Sequence, residues 1–188
     1  MRIGISGVQG SFSEEAARTY CRKETIADAE IAYLVSAEGV LAALEEGSID
    51  LGIFPIENST GGIVIEAVYA MAKHRFDILK IFEIDVHQNL LGKKGVLADQ
   101  ITSITSHDQA LKQCRMYLKR KWPGIDLTEY ADTAKAAKDL AEGVLPESTA
   151  VIASKAAAEL FDLDILEESI QDMKFNFTSF IAARKQAA

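Results

Sequence analysis

Four short polar segments carry the residue types from which a small-anion site is built. Each falls where an apolar run meets a helical pattern, or at the end of an apolar run. The first is Gly7-Val8-Gln9-Gly10-Ser11-Phe12-Ser13. Its glycines let backbone approach a ligand closely, and Ser11 or Ser13 can cap the helix that follows. It reads equally as an anion cradle or as an ordinary capped turn, and it is not the G-x-G-x-x-G of dinucleotide sites. The second is Pro55-Ile56-Glu57-Asn58-Ser59-Thr60-Gly61-Gly62. Residues 59–63 can offer consecutive backbone amides to an anion, and Glu57 and Asn58 add side-chain hydrogen bonds. The segment is more polar and glycine-rich than a turn requires. The third is Ser106-His107-Asp108-Gln109. Ser106 can be an N-cap, Asp108 suits the positive end of the helix dipole, and His107 either meets a ligand or steadies the loop. The fourth is Asn176-Phe177-Thr178-Ser179-Phe180. In a strand Asn176 and Thr178 share a face. On pattern alone the segment is a plain amphipathic strand.

The elements that hold these segments alternate. Strands are expected over 2–6, 30–35 and 49–54, the last bounded by Pro55. Helices are expected over 12–22, from a Ser36 cap to 46, and over 62–74. A long apolar stretch, 78–91, carries the chain into a second set: strands 101–105, 126–130 and 150–153, helices 107–121, 132–142 and 154–161, and closing strands 164–168 and 177–183. Trp122-Pro123-Gly124 stops one helix before the next strand. The β-α-β rhythm argues for α/β layers. Ligands of such folds bind at strand C-termini and helix N-termini.

Composition bounds the function. A net charge of −8 disfavours nucleic-acid binding without forbidding a small anion at a helix N-terminus. No apolar run is long enough for a membrane span, and the start turns polar and glycine-rich too soon for a signal peptide. A cytoplasmic protein is expected. Cys21 and Cys114 lie far apart, outside any C-x-x-C, and read as buried free thiols. His74 and His87 are scattered from His107, which gives no metal spacing.

Together the segments resemble the prephenate dehydratase family. The match comprises G-x-x-G-S-F-S, P-I-E-N-S-T-G-G, S-H-D-Q-A-L-K-Q-C, and the tail from Ala150-Val151-Ile152-Ala153-Ser154 to Asn176-Phe177-Thr178-Ser179-Phe180, in the family's order and with similar spacing. The resemblance implies a two-lobed α/β fold of the type II periplasmic-binding-protein kind with an interlobe cleft. Lobe 1 would be about 1–77 plus the C-terminal strand, and lobe 2 about 78–175. It implies decarboxylating dehydration of prephenate to phenylpyruvate in phenylalanine biosynthesis, without metal or organic cofactor, in a homo-oligomer. Thr178 matches the threonine that assists departure of the ring hydroxyl. Ser11, Ser13, Glu57, Asn58, Ser59, Thr60, Gly61, Gly62, Ser106, His107, Gln109, Asn176, Ser179 and Phe180 are implied at or near the substrate.

The sequence departs from the family's pattern in three places. Ser179 stands where the family has an arginine that helps bind a substrate carboxylate, and Asp108 replaces a proline. Lys155 and Lys174 are either substitutes for that arginine or solvated surface lysines. The sequence also ends before the phenylalanine-binding ACT domain that most bacterial relatives carry, so no feedback through this polypeptide is expected. Arogenate dehydratase, prephenate decarboxylase and a non-catalytic anion-binding module are the competing readings. Retention of Thr178 speaks against the decarboxylase.

Overall fold

Apolar runs become strands and periodic runs become helices in the computed structural model, which describes residues 1–186. In chain order these are β1 (Arg2–Ile5), α1 (Phe12–Lys23), β2 (Glu30–Tyr33), α2 (Ala37–Glu46), β3 (Leu51–Asn58), β4 (Gly62–Ile63), α3 (Ile65–Lys73), β5 (Phe76–Asp85) and β6 (Asn89–Gly92). There follow β7 (Ser103–Ser106), α4 (Asp108–Gln113), α5 (Arg115–Lys121), β8 (Asp126–Glu129), α6 (Thr133–Ala141), β9 (Thr149–Ala153), α7 (Lys155–Leu160), β10 (Asp164–Glu167) and β11 (Phe177–Lys185). The chain divides into two units. Unit 1 is Met1–Asp85 with the chain from Phe177 onward, and unit 2 is Val86–Asn176.

Unit 1 holds a mixed sheet in the order β2-β1-β3-β11-β5, with β4 paired to β3. β1 runs parallel to β2 and β3, and β11 lies antiparallel between β3 and β5. Helix α2 packs Val40, Leu41 and Leu44 against Phe54 and Ile181. Each such buried side chain contributes about 1.5–3 kcal/mol. Gly52 allows this contact, because a Cβ there would meet Val40 Cγ1 at 2.6 Å. Unit 2 holds a second mixed sheet, β10-β6-β9-β7-β8. Apolar clusters around Leu118, Ile104 and Ile152 and around Leu140, Val151 and Leu163 form its core. This is the α/β architecture that the resemblance implies. Among the described residues no helix is long and apolar enough to cross a membrane.

Several expected boundaries move, each for a local reason. β3 does not stop at Pro55. It runs on to Asn58, because the register with β11 shifts between Ser179 and Phe180 and a bulge absorbs the residue between Pro55 and Glu57. A proline without an N–H is tolerated at such a bulge. The helix expected from 62 starts at Ile65, because Gly62 takes φ +78° and Gly62–Ile63 pairs with β3 instead. The stretch 78–91 breaks into β5 and β6. β5 pairs along its length with β11, so the division between units falls after Asp85 rather than near residue 77. The helix expected over 107–121 is two helices, parted at Cys114, whose backbone sits at φ −107°, ψ 11°. Cys114 is buried, and burial pushes its thiol well above the ordinary value. Cys21 is free too but only partly buried.

Candidate active site

The end of β3 and the start of β11 bring together the residues of two of the four segments. Thr178 lies directly opposite Asn58 in the antiparallel register. Asn58 Nδ2 donates to Thr178 Oγ1 at 2.8 Å and to the Phe177 carbonyl at 3.3 Å. Its other atom, Oδ1, accepts from the Thr60 amide at 3.0 Å, the Gly61 amide at 2.8 Å and the Thr60 hydroxyl at 2.7 Å. Only an oxygen can accept from two N–H groups, so the loop fixes which way the Asn58 amide points. Its NH2 must therefore face Thr178. A hydroxyl that accepts this bond keeps its own hydrogen for another acceptor. Thr178 is 9 % exposed, nearly but not completely closed off from solvent. Ser59 completes the corner: its amide donates to the Phe177 carbonyl at 2.8 Å, and its Oγ accepts from the Phe177 amide at 3.0 Å.

The expected run of free amides over 59–63 is therefore not what this loop presents. The amides of Ser59, Thr60 and Gly61 are spent on Phe177 and Asn58. The loop works as a clamp on Asn58. Gly62 serves the turn through its left-handed backbone. Segment one is closed in the same way. Ser11 caps α1, accepting from the Glu14 amide at 3.4 Å. The buried Glu14 carboxylate takes the Gly10 amide at 2.7 Å and meets Arg18 at 2.5 Å. Ser13 donates to the Ser6 carbonyl at 2.8 Å. Here the carboxylate at the helix N-terminus is the chain's own.

Successive residues of β11 part to opposite faces of the sheet. Ser179, unlike Thr178, lies level with Glu57 on β3 and Glu83 on β5, and its Oγ donates to Glu83 at 3.2 Å. Directly opposite residues share a face, so Ser179 belongs to an acidic row on the reverse side from Thr178. Phe180 is in the core, 1 % exposed and stacked on Phe82 with ring centres 6.0 Å apart.

In unit 2, Ser106 is not the cap. It is buried at the end of β7 and donates to the Ile152 carbonyl at 2.6 Å, tying β7 to β9. His107 is the N-cap of α4: its Nδ1 accepts from the Gln109 amide at 3.3 Å. That bond fixes the tautomer with the proton on Nε2, which turns a donor outward from an exposed ring. Gln109 is exposed, and Asp108 is held by Lys112 at 2.5 Å. Asn176 is fully buried and precedes β11, so it does not share a strand face with Thr178. Its Nδ2 donates to Gln113 Oε1 at 3.0 Å and to the Val86 carbonyl at 3.3 Å. Gln113 Oε1 also accepts from Gln88 Nε2 at 2.9 Å. Sequence reading missed this amide cluster. No local pattern could have found it, because Gln88, Gln113 and Asn176 lie far apart in the sequence. Lys155 pairs with Glu168 at 3.9 Å, and Lys174 lies over the Phe175 ring. Among the described residues no cluster of three or more His, Cys, Asp or Glu is placed to hold a metal ion.

Comparison with known proteins identifies the family and the fold. The family model described as prephenate dehydratase matches residues 3–188. The chain is 36 % identical over 182 residues to arogenate dehydratase 5, chloroplastic, of Arabidopsis thaliana, covering 96 % of this chain and 41 % of that protein. It is 30 % identical to the bifunctional chorismate mutase/prephenate dehydratase of Stutzerimonas stutzeri, covering 99 % of this chain and 49 % of that one. The chain thus spans less than half the length of either curated relative. Among solved structures it superposes on prephenate dehydratase from Arthrobacter aurescens, in complex with L-Phe, with a TM-score of 0.90 at 27 % identity, covering 100 % of this chain and 61 % of that one.

Proposed function

We propose, since the chain belongs to the prephenate dehydratase family, that it removes carbon dioxide and water from prephenate, or from its amino-acid counterpart arogenate, to leave an aromatic ring. One observation carries the reading: the polarity of the Asn58–Thr178 hydrogen bond, which leaves the threonine proton to be donated. In the reaction the bond to the ring carboxylate breaks and its electron pair enters the ring. The ring C–O bond breaks, and the oxygen departs as water with a proton that solvent restores. Aromatisation supplies the driving force. The protein has to position the anion and stabilise charge on the leaving oxygen as it develops. Thr178 donates its hydrogen bond to that oxygen. A free threonine hydroxyl is a weak acid, so positioning contributes more than proton transfer. The Asn58 bond polarises the hydroxyl and strengthens it as a donor. In unit 2, His107 Nε2–H is a donor suited to an anionic ligand.

The same reading extends to a place in phenylalanine biosynthesis, to the cytoplasm and to a homo-oligomer. The test is turnover of each substrate side by side. Carbon dioxide is released from either, with phenylpyruvate formed from prephenate and phenylalanine from arogenate. No release from either substrate overturns the proposal, and release with a non-aromatic diene as product assigns a decarboxylase instead.

A further inference from the structure

In this acidic chain many cations sit against carboxylates, as Lys73, Lys80, Lys93, Lys94 and Lys135 do. Helix α5 is different. Arg115, Lys119, Arg120 and Lys121 crowd into seven residues, and among the described residues none of them meets a carboxylate within ion-pair distance. Arg115 and Lys119, four residues apart and so on one side of the helix, line a cavity of about 220 Å³ in unit 2. The remaining lining is largely apolar and includes Leu118, Trp122, Ile125 and Leu127. A solvated charged face would lack such a wall, and a packing defect would lack the two cations. We propose that this cavity binds a small amphiphilic carboxylate, its ring or branched chain against Trp122 and Leu127 and its carboxylate on Arg115 and Lys119.

Size and charge narrow the ligand class. The volume is below the roughly 300–1,000 Å³ of pockets for drug-sized ligands, which suits a single ring with a short acidic arm. β8, whose Leu127 lines the cavity, also carries Asp126 and Glu129, and all four of its residues are exposed. Those carboxylates, with the overall charge of −8, repel a polyanion more strongly than a ligand with a single carboxylate. Arginine gives that carboxylate a bidentate partner. The apolar wall excludes water from one side of the bond and strengthens it. The inference does not depend on the activity proposed above.

Trp122 is the chain's only tryptophan, so intrinsic fluorescence reports directly on this cavity. The probe is 3-phenylpropionate, with 3-phenylpropionamide as its uncharged counterpart. The expected result is a saturable fluorescence change with the acid and binding at least about tenfold weaker for the amide. The double variant Arg115→Gln/Lys119→Gln, which changes two exposed side chains, is expected to lose about tenfold or more in affinity with an unchanged melting temperature. Binding at the proposed active site would survive the double substitution, so the two sites are distinguishable. The inference is overturned if the wild-type protein shows no saturable change, if the amide binds as well as the acid, or if the double variant binds as wild type does.

Discussion

Replacing Asn58 by aspartate tests the threonine's role by reversing one hydrogen bond. The side chain keeps its shape, and one carboxylate oxygen still accepts from the Thr60 and Gly61 amides. The other oxygen takes the place of Nδ2, 2.8 Å from Thr178 Oγ1. Two oxygens at that distance need a hydrogen between them, and a carboxylate brings none. Thr178 must then donate to the introduced carboxylate, which consumes the proton the leaving hydroxyl requires. A hydrogen bond to a charged group is worth about 1.5–3 kcal/mol. At 1.36 kcal/mol per tenfold, breaking it before turnover lowers kcat by about 10- to 150-fold. KM also rises, because a new negative charge stands beside an anionic substrate. The loop bonds persist, so thermal stability stays near wild type. Asn58→Ala differs in kind: it removes the loop's acceptor and lowers stability by about 1–2 kcal/mol net as well as activity. The assay is initial rate at saturating prephenate and at saturating arogenate, with melting curves on the same preparations. Asn58→Asp with kcat within about threefold of wild type would refute the argument that Asn58 directs the Thr178 proton.

Thr178→Ala is expected to lower kcat by about 10²–10³, the usual cost of one donor to a developing oxyanion, while Thr178→Ser retains most turnover; steady-state rates on folded protein decide. Ser179→Arg places a guanidinium between Glu57 and Glu83 on the reverse face. It is expected to add up to about 2 kcal/mol of stability from two exposed pairs and to leave KM unchanged, checked by denaturant melts and kinetics. His74 bonds Glu45 through Nδ1 at 2.8 Å and Glu38 through Nε2 at 3.0 Å. The Glu45 and then the Glu38 hydrogen bond hold its imidazolium above the ordinary value, and both carboxylates are held below theirs. The histidine's contribution is therefore complete below the ordinary imidazole value and lost as pH rises through the raised one. The carboxylates' contribution is lost as pH falls through their lowered values. Denaturation midpoints against pH should fall on both sides of that window in the wild type and flatten on the alkaline side in His74→Gln.

Much of the fold was legible because its signals are local. Ser36 and the Trp122-Pro123-Gly124 stop lie where the caps and breaks form, since a cap needs only the first turn of its own helix. The misplaced boundaries were those set by a distant strand. Pro55 reads as a strand end until β11 arrives from the far end of the chain and supplies a partner whose register bulges around it. Gly62–Ile63 reads as the start of a helix until β3 recruits it. Nothing in residues 107–121 marks Cys114 as a break.

The site divides along the same line. Asn58 and Thr178 are 120 residues apart, and no periodicity joins them. The resemblance links them as members of one family pattern, and the register sets them opposite each other. What the resemblance does not contain is direction. Loop amides orient Asn58, Asn58 orients the demand on Thr178, and alternation along β11 then sends residue 179 to the other face. The replacement of the family arginine by Ser179 falls in a row with Glu57 and Glu83, where an arginine would lie between two carboxylates level with it. A change there alters the charge of the sheet's reverse face. Under the proposed activity, the choice between a keto-acid and an amino-acid substrate then falls to groups on the Thr178 side.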